Sequence, residues 1–298
     1  MAIEKVFLNE DGSSFDYVVN FAAETKYGQT EEVYNEKVFT LSISCAKEAA
    51  KRNVKVFVEV STAQVYDSGK KPSNENSSCK PWTILAKHKL KAEEELKKIP
   101  GLNLIIVRPA IVYGPSDISG ITPRLVVGAV YKELKEEMKL LWTKDLRINT
   151  VHVKDVAKGI WHLIMKGKVG ETYNLADKGD TDQETINAII RSIFKIETGF
   201  QGTIISNFAK LNLQSVTEDV NDKHLQPWSD LCRKSNVQNS PLTPYLDQEL
   251  LYNNSLSVDG SKIEETGFQY DYPKITEELI KEVLQQFVEI NIFPAGLF

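Results

Sequence analysis

Thr62 stands directly behind a run of β-branched residues, VKVFVEV (Val54 to Val60). A hydroxyl at such a strand end can cap a neighbouring backbone group or exchange a proton with a bound molecule. His88 and Lys89 lie side by side in a helix-like stretch, Trp82 to Lys98. Lys89 shares that stretch with Lys87, Lys91, Lys97 and Lys98, so a solvated lysine face is the plain alternative to a chemical role. His88 is expected on the helix surface, roughly 100° around the helix from its neighbour. Arg147 can pair with a surface acid or meet an anionic ligand. The other histidines (His152, His162, His224) and the cysteines (Cys45, Cys79, Cys232) have no metal-ligand spacing.

Bulk composition narrows the function classes. The chain has 298 residues, 42% hydrophobic and 26% charged, which is ordinary globular composition. A net charge of −5 gives no electrostatic footprint for nucleic acid or an anionic membrane. Apolar runs such as Leu102 to Val107 are strand-sized and too short to span a bilayer. The opening MAIEKVFLNEDG lacks the apolar core of a secretion signal, and an odd number of scattered cysteines suits a reduced, cytoplasmic setting.

Elements alternate through the first two thirds. Asp16 to Ala23 reads as a buried strand, Glu31 to Arg52 as a helix, and Val54 to Val60 as the next strand. Asp67 to Lys80 is a polar loop, Trp82 to Lys98 a helix, and Leu102 to Val107 a strand. A helix is expected from Pro123 to about Lys139, a strand at Thr150 to Val153, and a helix from Val156 to Lys166 capped by Asp155. A strand at Glu171 to Ala176 and a helix from about Asp182 to Phe194 follow. This order predicts an α/β fold with a mostly parallel sheet. Beyond Phe200, Gln201 to Asn254 has no clean period and is expected to be irregular with short helices, before a last helix at Thr276 to Phe287. The expected domains are 1–200 and 201–298.

Several strings, in one order, resemble the extended short-chain dehydrogenases, the NAD-dependent epimerases and dehydratases. They are NFAAET (Asn20 to Thr25), FVEVSTAQVYD (Phe57 to Asp67), KHKLKAEEEL (Lys87 to Leu96), VRPAIVYGP (Val107 to Pro115), RINTVHVKDVAKGI (Arg147 to Ile160) and ETYNLADKG (Glu171 to Gly179). SKIEETGFQYDYPKIT (Ser261 to Thr276) resembles the segment before that family's final helix. The resemblance implies a Rossmann-like doubly wound sheet with a small C-terminal substrate-type region, NAD or NADP as cofactor, and a small-molecule substrate. The family's opening GxxGxxG turn is absent from this sequence. The resemblance therefore implies that about three strands are missing ahead of Asp16, on the order of sixty to eighty residues by the usual size of βαβ units. Asp16 to Ala23 would then be an exposed sheet edge, open to a second copy or a protein partner.

Residue by residue, the resemblance puts Thr62 at the family's catalytic Ser/Thr and Lys89 at its catalytic lysine. The family tyrosine falls at Leu85. Ala22, Ala23, Ser61, Lys89 and Pro109 fall at cofactor contacts, and Gln64, Ile111 and Arg147 at substrate contacts. Ala63-Gln64 replaces the acidic pair of the dehydratases, which argues against sugar 4,6-dehydration. Ile111 replaces a frequent Asn near the substrate phosphate, which weakens a nucleotide-sugar substrate. Tyr66 and Tyr113 read as core aromatics, and His152 as a packing residue. Two functions follow: an NAD(P)-dependent epimerase, dehydratase or reductase with altered activity, or a non-catalytic fold relative working through binding or as a scaffold.

Overall fold

The apolar runs at 54–60 and 102–107 become central strands because β-branched residues fill both faces of a covered parallel sheet. The computed structural model describes residues 3–8, 12–67, 69, 71–201 and 203–298. Residues 9–11 of the polar stretch before Asp16, Ser68 and Lys70 of the expected loop, and Gly202 lie outside the described residues. In chain order the described elements are α1 (Ile3–Val6), β1 (Tyr17–Asn20), α2 (Glu31–Tyr34), a π-helical segment (Asn35–Thr40), α3 (Leu41–Lys51), β2 (Val56–Val60), α4 (Ile84–Leu96), β3 (Leu104–Pro109), β4 (Ile111–Tyr113), α5 (Thr122–Leu134), β5 (Met138–Leu140), β6 (Thr150–His152), α6 (Val153–Lys166), β7 (Thr172–Leu175), α7 (Gln183–Phe194), β8 (Thr198–Phe200), α8 (Thr203–Leu211), α9 (Leu213–Lys234) and α10 (Glu277–Glu289).

The chain forms two compact units of interleaved segments: Met1–Ala110 with Asp155–Ala176 and Leu256–Asp271, and Ile111–Lys154 with Asp177–Ser255 and Tyr272–Phe298. The boundary expected at residue 200 falls inside the second unit. The chain leaves the first sheet after β3 and again after β7, so the second unit is assembled from two excursions and the C-terminal segment Tyr272–Phe298. The first unit holds a four-stranded sheet in the order β1-β2-β3-β7. Every pair in it is parallel, with Tyr17 beside Val56, Phe57 beside Leu104 and Ile106 beside Thr172. Phe57, Leu104 and Ile106 pack with Ala46 and Ala49 of α3 and Leu96 of α4 into one core. β1 is the end strand, with Phe15 and Tyr17 exposed and Phe21 61% exposed beyond it.

The second unit carries two parallel strand pairs, β4 with β6 and β5 with β8. Its core joins α5, α7, α9 and α10 through residues such as Leu125, Ile190, Trp228 and Phe287. No described helix is long and apolar enough to cross a membrane.

Three elements differ from expectation. The helix from Pro123 stops at Leu134, because Lys135 adopts a left-handed conformation (φ 56°), and the next residues form β5. The expected helix over 31–52 is interrupted by the wider turns of Asn35–Thr40. The region after 201 contains α9, a 22-residue helix with Pro227 inside it, rather than short pieces alone.

Candidate functional site

In open parallel α/β sheets, ligands bind beyond the carboxyl ends of the strands, where loops converge and helices begin. In the first unit that edge comprises the loop after Asn20, residues 61–66 after β2, and the start of α4. Thr83 caps α4, its hydroxyl accepting from the Ala86 N–H at 3.1 Å.

The centre of this edge is an acid that sequence patterning did not single out. Glu59, in the middle of β2, is fully buried. Its Oε2 accepts from Asn20 Nδ2 at 2.7 Å and its Oε1 from the Ser42 hydroxyl at 2.8 Å. The Lys89 ammonium stands 3.6 Å from Oε1 and donates to the Val60 carbonyl at 2.7 Å. Burial pushes the Glu59 carboxyl above its ordinary range, while the Lys89 charge and then the Asn20 and Ser42 hydrogen bonds pull it back. Lys89 is therefore buried and paired, not a member of a solvated lysine face. Asn20 Oδ1 also accepts from the Ala22 N–H at 3.2 Å, which ties the exposed Ala22 to the same network.

A second buried ion pair lies behind the strand end. Arg108 donates from Nε to Glu93 Oε1 at 3.0 Å and from Nη2 to Glu93 Oε2 at 2.5 Å. The Ser61 hydroxyl donates to the same Glu93 carboxylate. Arg108 also lies 4.9 Å from the centre of the Tyr66 ring, whose hydroxyl donates to Asn174 Oδ1 at 2.7 Å. Burial pushes the Tyr66 phenol up to about 12 against the pull of Arg108, so it stays protonated. Burial works against the Arg108 charge, but the hydrogen bonds and charge of Glu93 outweigh it and hold the guanidinium more firmly protonated than usual.

Thr62 is half-buried, and its hydroxyl accepts from the Gln64 N–H at 3.2 Å to cap the turn Ala63–Val65. Gln64 meets Tyr27: its Nε2 donates to the Tyr27 hydroxyl at 2.9 Å, and its Oε1 accepts from the Thr83 hydroxyl at 3.1 Å. Leu85 is 9% exposed and packs with Tyr34 and Val38. His88 is not a surface residue. It is 7% exposed, with Nδ1 3.0 Å from the Ile84 carbonyl and Nε2 3.3 Å from Glu31. The packing of α2 and the π-helical segment against α4 covers it, which a single-helix projection does not reveal. Ala23 is half-buried beside Ala22, and Pro109 closes β3 in a buried position.

The structure thus brings Ala22, Ser61, Thr62, Gln64, Leu85 and Lys89 together at one sheet edge. Ile111 and Arg147 belong to the second unit. Ile111 is half-buried on β4. Arg147 pairs with Asp180 at 3.3 Å and Asp182 at 3.1 Å and donates to the Asp180 carbonyl at 3.0 Å. Asp155 lies inside the first turn of its helix rather than ahead of it. α6 begins earlier, at Val153, and the buried Asp155 carboxylate accepts from the Asp271 N–H at 2.9 Å. Tyr66, Tyr113 and His152 are buried, and His152 stacks on Tyr272 with ring centres 3.8 Å apart. Among the described residues, no cluster of three or more His, Cys, Asp or Glu could hold a metal ion.

The family model for NAD-dependent epimerases and dehydratases matches residues 4–176, more than half of the chain. The chain belongs to this family. A solved UDP-N-acetylglucosamine 4-epimerase from Methanobrevibacter ruminantium, in complex with UDP-N-acetylmuramic acid, is 17% identical, with 97% of this chain and 80% of that one covered and a TM-score of 0.68. The Thermotoga maritima UDP-glucose 4-epimerase with UDP-glucose is also 17% identical, covering 97% and 81% at a TM-score of 0.66. The Bordetella bronchiseptica enzyme WbmG, in complex with NAD and UDP, is 17% identical over 99% and 77%, with a TM-score of 0.67. At these identities the likeness shows the fold, a mostly parallel Rossmann-like α/β sheet. No curated protein matches the chain. Within this epimerase/dehydratase fold, Glu59, Glu93, Arg108 and Tyr27 are the polar residues that sequence reasoning passed over. A charged residue inside VKVFVEV was the one available signal.

Proposed function

We propose that this epimerase/dehydratase-family chain binds an NAD(P)-type dinucleotide at the ends of β1–β3 and acts through binding or as a scaffold, without the family's hydride chemistry. The observation that carries this is the helix face at Leu85 and Lys89. Where a proton-transferring hydroxyl is expected, a buried leucine packs on Tyr34 and Val38. One turn later the ammonium is already held by Glu59 and the Val60 carbonyl. The residues present fit part of such a cofactor. Lys89 keeps an N–H beyond these two partners, and the small Ala22 and Ala23 stand exposed and half-buried at the strand end. Ser61 and Pro109 line the same strand ends. The sequence has no Gly-rich turn for the pyrophosphate. When bound, NAD(P) would supply hydride transfer, for which Leu85 offers no partner acid. We assign the chain to the cytoplasm, with a small-molecule ligand and no nucleic acid.

Calorimetry with NADH and NADPH tests the binding half, and turnover of UDP-glucose with NAD tests the chemistry. Micromolar binding without turnover is expected. Absence of binding to either cofactor overturns the dinucleotide assignment, and robust epimerisation overturns the non-catalytic one. One observation favours an active enzyme instead. The Tyr27 hydroxyl reaches the Gln64 side chain two residues from Thr62, so Tyr27→Phe should abolish any turnover found. Gln64, Ile111 and Arg147 are proposed substrate contacts. Arg147 would have to leave Asp180 and Asp182 to meet an anion.

A further inference from the structure

A buried carboxylate is costly unless its lone pairs are used and an opposite charge is near. Glu59 meets both conditions, and its partners lead in two directions. Through Oε1 it reaches Lys89 on α4, whose ammonium is also drawn onto the Val60 carbonyl. Through Oε2 it reaches Asn20, whose own carbonyl oxygen holds the Ala22 N–H at 3.2 Å. Ser42 from α3 closes the ring, donating to Oε1 and accepting from Asn20 Nδ2 at 3.1 Å. Lys89 and Ala22 sit on different elements, and both belong to the proposed dinucleotide site. One carboxylate sets the orientation of both.

We propose that Glu59 is the positioning residue of this site: it holds the Lys89 ammonium against the β2 end, and through Asn20 it fixes the backbone turn at Ala22. The assignment to a dinucleotide rests on the function proposed above, whereas the hold on Lys89 does not. Burial of the acid and the proximity of the ammonium make each the main electrostatic neighbour of the other.

Glu59→Gln keeps the size of the side chain and removes its charge. In the full chain without cofactor, competitive acylation near neutral pH, read by mass spectrometry, should label Lys89 roughly tenfold faster in this variant, with exposed Lys87 as the internal reference. Unchanged labelling of Lys89 overturns the proposal, whatever the cofactor does. NADH binding, measured by calorimetry, should weaken by about tenfold in the variant, and equal affinity overturns the positioning role in the site. Faster Lys89 labelling with no NADH binding to the wild type upholds the hold on Lys89 and removes the dinucleotide assignment alone. Ser42→Ala, which deletes one hydrogen bond to Glu59, should move both readouts in the same direction by less. It carries the test if Glu59→Gln does not fold, and identical behaviour to wild type in both readouts counts against the proposal.

Discussion

Acid should destabilise the second unit through one histidine. His224 on α9 is 2% exposed and meets the Tyr131 ring edge-on at 5.3 Å. Burial, and then the neighbouring Lys223 charge, push its pKa from 6.5 down to about 4, with the Pro244 carbonyl pulling weakly the other way. The unfolded chain therefore binds this proton more tightly than the folded one. Above about pH 6.5 both states are neutral and nothing is lost. Stability falls as the pH drops from 6.5 towards 4 and levels off below it. A difference of about 2.5 units at about 1.4 kcal/mol each sets a ceiling of about 3 kcal/mol, and about 2 kcal/mol of it is lost by pH 5. Lys223 pairs with exposed Glu136 at 2.5 Å, and protonating the histidine adds a second positive charge beside the lysine. Urea melts of wild type and His224→Phe at about pH 7.5, 6 and 5 measure the effect. Trp228, one turn further along α9 and buried, is a natural fluorescence reporter. Carboxylate titrations are shared by both proteins and cancel in the difference. Wild type should lose about 2 kcal/mol relative to the variant between pH 7.5 and 5. A difference that stays constant over that range would refute the assignment.

The first unit offers three further tests. Arg108→Met strands the buried Glu93 carboxylate and should cost about 3–5 kcal/mol in urea melts, whereas Arg108→Met with Glu93→Leu should cost clearly less. Leu85→Tyr forces a larger ring against Tyr34 and Val38, should cost about 1–3 kcal/mol, and should confer no turnover of UDP-glucose, because Lys89 remains on Glu59. The open edge of β1, with Phe15, Tyr17 and Phe21 exposed, should make the chain self-associate in sedimentation experiments at tens of micromolar, as is common for unprotected apolar edges. A sharp monomeric boundary together with a cooperative melt would count against that.

The central sheet was readable because strands covered on both faces must be apolar throughout, and VKVFVEV and LNLIIV carry that signal in a few residues. α9 was not readable for the converse reason. Its buried stripe is Thr217, Asn221, His224, Trp228 and Leu231, spaced by three or four residues. The spacing is helical, but three of the five are polar, and Pro227 sits among them. Asn221 explains how polarity survives there: its side chain exchanges hydrogen bonds with the Leu246 backbone at 2.9 and 2.7 Å. A search for apolar periodicity sees no face, while in the fold Thr217 donates to the Leu213 carbonyl of its own helix and Asn221 is met by the Leu246 backbone.

The site divides along the same line. Thr62, Leu85 and Lys89 could be singled out from sequence because the order of the family's motifs and a spacing of four are local properties. Glu59 and Glu93 were not, because their meaning depends on Asn20, Ser42, Ser61 and Arg108, which only the parallel register brings alongside. The register places Asn20 beside Glu59 across β1 and β2. A one-residue slip would turn Glu59 to the opposite face of the sheet and leave Lys89 without its acid. The register of β1 is thus coupled to the charge of the site. Whatever pairs with or disturbs the open edge of β1 acts on Asn20 first, and through Asn20 on both Glu59 and Ala22. Edge and site are two ends of one hydrogen-bonded chain, so substitutions at Tyr17 or Val19 that loosen the edge should alter Lys89 labelling in the same sense as Ser42→Ala.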